Sequence, residues 1–263
     1  MTDLPSYQRP PVNEVAVGIH YVSDMALGLR DMFRIHSFFE DRYPGLEEYP
    51  LLPKIVESAD QMPSVEFAFV GGQAILPRLW FVGVSPTEIV QLQRDRLVVN
   101  WRKMTESDTY LRFDAHVKPA FIDAHRRLVL ALDEMGSTEP AIERIEVAYV
   151  NAIIMESGDT LATVLRPLRP SEERGFLPEV DGLQMQLTYK VPQLDGGSLL
   201  IGIGSATRKE DGASTVIMQL TVRAKTDGTF DHALQCIDVA REWIVRGFTD
   251  MSTDLMHERW VQD

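Results

Sequence analysis

VQLQRDRLVVNWRK, residues Val90 to Lys103, is the stretch whose reading decides the fold. Apolar residues fall on alternate positions on both sides of Arg94-Asp95. Such alternation is the period of a half-buried strand. It predicts a hairpin turning at Arg94-Asp95, with Leu92 facing Leu97, Val90 facing Val99 and Trp101 on the same apolar side. Gln91, Gln93, Arg96, Asn100 and Arg102 then point to the opposite face. The regular polar residues of this stretch are therefore a sheet period, and the question is whether that face is plain solvated sheet or a binding surface.

Working outward, VNEVAVGIHYV alternates in the same way, with Val15, Val17, Ile19 and Tyr21 on one side. Ser23 or Asp24 can cap a helix carrying Met25, Leu29, Met32, Phe33 and Phe39, which Pro44-Gly45 stops. Short strands are expected at Val65 to Val70 and Leu79 to Val84. After the hairpin, a long helix is predicted from Asp114 to Leu132, with Pro119 in its first turns and Gly136 at its end. The order of elements then recurs. IERIEVAYVNAIIM places Ile145, Val147 and Tyr149 as Val15, Val17 and Ile19 were placed. Strands follow at Leu183 to Val191, Leu199 to Thr207 and Thr215 to Lys225. A closing helix carries Leu234, Ile237, Ile244, Phe248, Met251 and Leu255 at three-and-four spacing. Both closing helices open on Phe-Asp, at Phe113-Asp114 and Phe230-Asp231. The fold expected is α+β: a tail at 1–12 and two β-α-β(3–4)-α halves, 13–136 and 137–263, with antiparallel sheet against long helices and a pseudo-two-fold between halves.

At 263 residues the chain can bury a full core. Its 39 acidic against 26 basic residues give a net charge of -13, which opposes contact with a phosphate backbone. The lone Cys236 rules out an intramolecular disulfide and fits a reducing cytoplasm. No apolar leader or run long enough to span a membrane is visible, so neither secretion nor membrane insertion is expected.

Chemistry-bearing motifs are scarce. His20, His36, His116, His125, His232 and His257 form no H-x-H or H-x-x-x-H pair, and one cysteine cannot build a thiolate site, so no metal is expected. GIGSAT at Gly202 to Thr207 lies within a strand pattern with no helix after it, which argues against a dinucleotide loop. Neither a nucleophile elbow nor a P-loop is present, and no cofactor is expected.

RPPVNEV near the start, the VQLQ…NWR block, Tyr149-Val150-Asn151 in a mid-chain strand and the C-terminal helix HALQCIDVAREWIVRGFTDMSTDLMHERW together resemble a sporadically distributed prokaryotic family without an assigned activity. The resemblance implies an accessory bacterial gene and supplies no catalytic residue. The function expected is a non-enzymatic interaction or regulatory protein of an accessory bacterial operon. Its partner would be a protein encoded nearby, met through polar sheet faces, with a homo-oligomer left open. The candidate binding residues are Gln91, Gln93, Asn100 and Arg102 in the first half and Gln186, Thr188, Gln219 and Arg223 in the second. They offer directed donors and acceptors while the apolar face is needed for the core. Two alternatives stand beside this. One is a small-ligand binder of helix-grip type, with a cavity lined by Trp80, Phe81, Trp101 and Tyr189. The other is an enzyme with dispersed catalytic residues.

Overall fold

The computed structural model describes residues 4–54, 77–168, 176, 180–208 and 211–261; the strand expected at Val65 to Val70 lies outside them. The quoted hairpin forms as its alternation predicts. Strands β4 (Glu88–Gln93) and β5 (Arg96–Arg102) pair with Leu92 opposite Leu97 and Val90 opposite Val99. The remaining strands are β1 (Val12–Tyr21), β2 (Gly45–Tyr49), β3 (Arg78–Val82), β6 (Ile142–Ile154), β7 (Gln184–Lys190), β8 (Ser198–Thr207) and β9 (Ser214–Gly228). They join in one antiparallel sheet of nine strands in the order β2-β3-β4-β5-β1-β6-β9-β8-β7. The first and second parts of the chain thus share a single sheet. Its middle is the β1/β6 pair, in which Val15, Val17 and Ile19 meet Tyr149, Val147 and Ile145.

Helix α1 (Leu29–His36), α2 (Lys118–Glu134), the short α3 (Leu161–Val164), α4 (Phe230–Met251) and α5 (Asp254–Arg259) complete the fold. A π-helical turn, Phe113–Val117, leads into α2, so Pro119 enters where the missing N–H costs least, and Gly136 ends the helix at φ 67°. The two long helices run antiparallel, as the ion pairs Arg241–Asp114 and Lys118–Asp238 and the stack of His125 on Phe230 require. They cover one face of the sheet. Phe121, Leu128, Ile237 and Ile244 pack there with Val15, Val17, Ile19, Leu97, Val99, Ile145, Val147, Leu220 and Val222 in one core cluster. Each of these apolar side chains contributes roughly 1.5–3 kcal/mol by leaving water.

Two helix boundaries differ from the sequence reading. The first helix begins at Leu29 behind Gly28, rather than behind Ser23 or Asp24. The residues before it are held by the hairpin turn instead: the Met25 N–H donates to the Arg94 carbonyl at 2.7 Å, and Met25 and Leu27 are buried. A tertiary contact has replaced a local cap. The last helix, expected to run unbroken to Leu255, stops at Met251. There the Ser252 hydroxyl donates to the Phe248 carbonyl at 2.8 Å, and the chain turns extended to bridge Leu165, while the Thr253 N–H donates to Val164. Helix α5 turns back beneath the N-terminal segment. Tyr7 is buried there, its ring 5.7 Å from that of Trp260, and Arg9 donates its N–H to the Trp260 carbonyl.

Candidate binding face

The face of the sheet away from the long helices carries the even-numbered residues of β1, β4's Gln91 and Gln93, and the matching positions of the other strands. Register brings all eight predicted residues onto this one face, although they come from four strands. One row across the sheet reads Gln186, Gly202, Gln219, Val150, Glu14 and Arg102. The next reads Thr188, Leu200, Thr221, Ala148, Ala16 and Asn100, and a third carries Arg223, Glu146, Gly18, Val98 and Gln91. The middle of the face is paved with small residues, Ala16, Gly18, Ala148 and Gly202. Gly18 has to be glycine, because a methyl group there would sit 2.8 Å from the Val98 side chain. A methyl on Gly202 would meet nothing within 4 Å, so the floor beside Gln186 and Gln219 is open.

The two sides of this face differ. In the first half the polar residues are engaged with one another. Arg78 donates to Gln91 Oε1 at 2.9 Å, Gln91 donates to Asn100 Oδ1 at 2.7 Å, and Asn100 donates to Glu14 at 2.5 Å. Gln93 exchanges two hydrogen bonds with the Leu52 main chain and donates to Asp95, whose carboxylate also receives Arg96 through two nitrogens at 3.0 and 2.8 Å. Gln91, Gln93 and Asn100 are accordingly buried, at 8, 6 and 4% exposure. Their amides satisfy groups inside the chain, and a partner would have to compete for them. Arg102 stays half-buried, its guanidinium 5.3 Å from the Trp80 ring, which is itself stacked on Tyr49 at 4.0 Å. In the second half the polar groups are free of such a network: Gln186, Thr188 and Gln219 are exposed, and Arg223 is half-buried against Glu146 at 2.5 Å. Sequence reasoning could not separate the halves, since alternation reports which face a residue takes and not what covers it.

The sequence reading missed His20, which faces this side from the central strand between Arg96 on β5 and Arg144 on β6. It is 5% exposed and its Nε2 has no hydrogen-bond partner. Burial, and then the Arg96 guanidinium, lower its pKa to about 4, outweighing the upward pull of Glu146 and Asp95. A neutral buried histidine binds fewer protons than the unfolded chain between the ordinary value of 6.5 and about 4, so stability falls as pH drops through that window. Wild-type protein should lose about 2 kcal/mol between neutral pH and pH ~5, read from urea midpoints, and His20→Gln should lose distinctly less. Equal slopes for the two proteins would refute this.

The four aromatic residues expected to line a common cavity do not meet. Phe81 and Trp101 are buried in the core beneath the helices, whereas Trp80, one residue along, lies on the opposite face. Tyr189 is on β7 at the far edge of the sheet, on the helix side but 40% exposed. Among the described residues, no group of three His, Cys, Asp or Glu side chains is placed to hold a metal ion. No helix among them is long and apolar enough to cross a membrane. The fold and this face define an α+β protein with one antiparallel sheet, helices on one side and a polar surface on the other. No family model matches the chain, and no curated protein matches it.

Proposed function

We propose that the protein is a non-enzymatic interaction protein, the regulatory member of an accessory bacterial operon, that meets a protein partner through the open sheet face. What supports this reading is one arrangement: eight polar residues from four strands share one face of a continuous sheet, and the long helices leave that face to them. The contact is centred on the second half, where Gln186, Thr188 and Gln219 offer exposed amide and hydroxyl groups around the open floor at Gly202. Arg102 and Arg223 flank it. Arginine combines a planar stacking surface with several donors, and is enriched among residues that carry binding energy. We further propose that the two halves descend from an internal duplication, their axis passing between Val17 and Val147. The outward order β1, β5, β4, β3 on one side and β6, β9, β8, β7 on the other supports it, and superposing the halves strand for strand tests it.

The test is co-expression with the neighbouring gene products. The wild-type chain should retain one of them through purification. Arg102→Ala combined with Arg223→Ala should weaken that complex by about 2 kcal/mol or more, and cost less than about 1 kcal/mol in stability. Undiminished binding by the folded double variant would return the face to plain solvent.

A further inference from the structure

The two edges of the sheet are built differently. Strand β2 ends the sheet on one side with five residues, GLEEY, whose adjacent Glu47 and Glu48 discourage another strand from pairing. Strand β7 ends it on the other with QMQLTYK, seven residues without proline and with no charge before Lys190. Its pairing to β8 is continuous, without a bulge. The Ser205 N–H donates to the Leu183 carbonyl, and the Val191 N–H donates to Gly197. Odd-numbered residues therefore bond to β8, and Gln184, Gln186, Thr188 and Lys190 turn their N–H and C=O groups outward, all four being exposed. On the helix side of the same edge, Leu183, Met185 and Leu187 are only half-buried, and Tyr189 is more open still. Among the described residues, nothing covers these backbone groups or the apolar stripe beside them.

We propose that β7 is the docking strand of a symmetric dimer, in which a second copy of this chain pairs antiparallel with it and the two sheets become one. The proposal goes beyond the binding face and does not depend on it. A second copy fits because the strand is complementary to itself. A two-fold axis at Leu187 places Leu187 opposite Leu187 of the second copy, Met185 opposite Tyr189, Gln186 opposite Thr188 and Gln184 opposite Lys190. The outward-turned residues become the hydrogen-bonded pairs, the sulfur of Met185 meets an aromatic ring, and no like charges face each other. In a chain of net charge -13, whose copies repel, a neutral edge is where two can approach. A ladder of this length is a small interface, so the dimer is reversible.

Sedimentation equilibrium of the wild-type chain should show a concentration-dependent dimer. Gln186→Pro removes an outward N–H while sparing the bonds to β8, and should weaken dimerisation more than about tenfold with the far-UV circular dichroism unchanged. Leu187→Cys should form a disulfide-linked dimer under mild oxidation, because the two Cα atoms would lie ~4.5 Å apart in a non-hydrogen-bonded pair. Cys236 is buried and adds little background. Gln184→Cys, placed opposite Lys190, should not cross-link. Should Gln186→Pro fail to fold, the contrast between the two cysteine variants decides alone. A wild-type chain that stays monomeric at high concentration, or a dimer with no Leu187→Cys cross-link, overturns the proposal. So does an edge protected from hydrogen exchange only when a different protein is added.

Discussion

Truncating Trp101 to alanine is expected to destabilise the protein by about 3–5 kcal/mol. The indole is 3% exposed on β5, on the face that also carries Leu97 and Val99, and its ring centroid lies 5.2 Å from that of Tyr110. Tyr110 shares a hydrogen bond with Tyr149 on the central strand β6, and Phe113 stacks near Tyr149 in turn. Removing the indole leaves a void that this cluster can close only by moving both the hairpin and the entry to α2. For a chain of this size the melting temperature should fall on the order of 10 °C. Trp101→Phe keeps most of the volume and should cost distinctly less. A Trp101→Ala protein that melts with the wild type would mean that the ring contributes nothing to the core.

The second large effect is expected at the hairpin turn. Asp95 and Arg96 are both buried, at 8 and 5% side-chain exposure, and meet through two parallel contacts. Burial alone would raise the Asp95 pKa; the hydrogen bond and the charge of Arg96 overcome it and hold the carboxyl below its ordinary value. Among the described residues, Asp95→Ala would leave the buried guanidinium with only the Pro53 carbonyl, at a cost of about 3–5 kcal/mol. Replacing both partners, Asp95→Ala with Arg96→Met, removes the uncompensated charge and should recover a large part of that loss. Denaturant midpoints of the single and double variants decide the matter. A double variant no more stable than the single one would show that packing, and not charge, sets the cost.

The strands were legible because apolar and polar residues alternate along them: period two alone located β1, β4, β5, β6, β7, β8 and β9 within a few residues. Helix ends were less so, since they depend on residues far away in the chain. Nothing near Ser23 announces that Met25 will bond to Arg94, and nothing near Ser252 announces the strand-like contact with Leu165. The candidate face shows the same division. Alternation placed Gln91 and Gln186 on equivalent sides of their strands. Arg78, Glu14 and the Leu52 main chain, which close over the first-half amides, reach them only through tertiary structure. Trp80 and Phe81 take opposite faces, as period two requires of neighbours in a strand, so they could not line one cavity together. His20 carried no motif at all, and its isolation is a property of its neighbours.

The seam at the middle of the sheet imposes an order on folding. Strands β3 to β5 follow one another in both sequence and space, as do β7 to β9, so each set can close through local hairpins soon after it is made. Strand β1 is different. It is synthesised before every other strand, yet its neighbours are β5 and β6, one of which belongs to the other half of the chain. One edge of β1 can pair with β5 once residue 102 has been made, but its other edge must wait for β6, so the joining of β1 to β6 is a long-range closure between the two halves. During that interval the strand that ends at the middle of the sheet offers an open edge to other nascent chains.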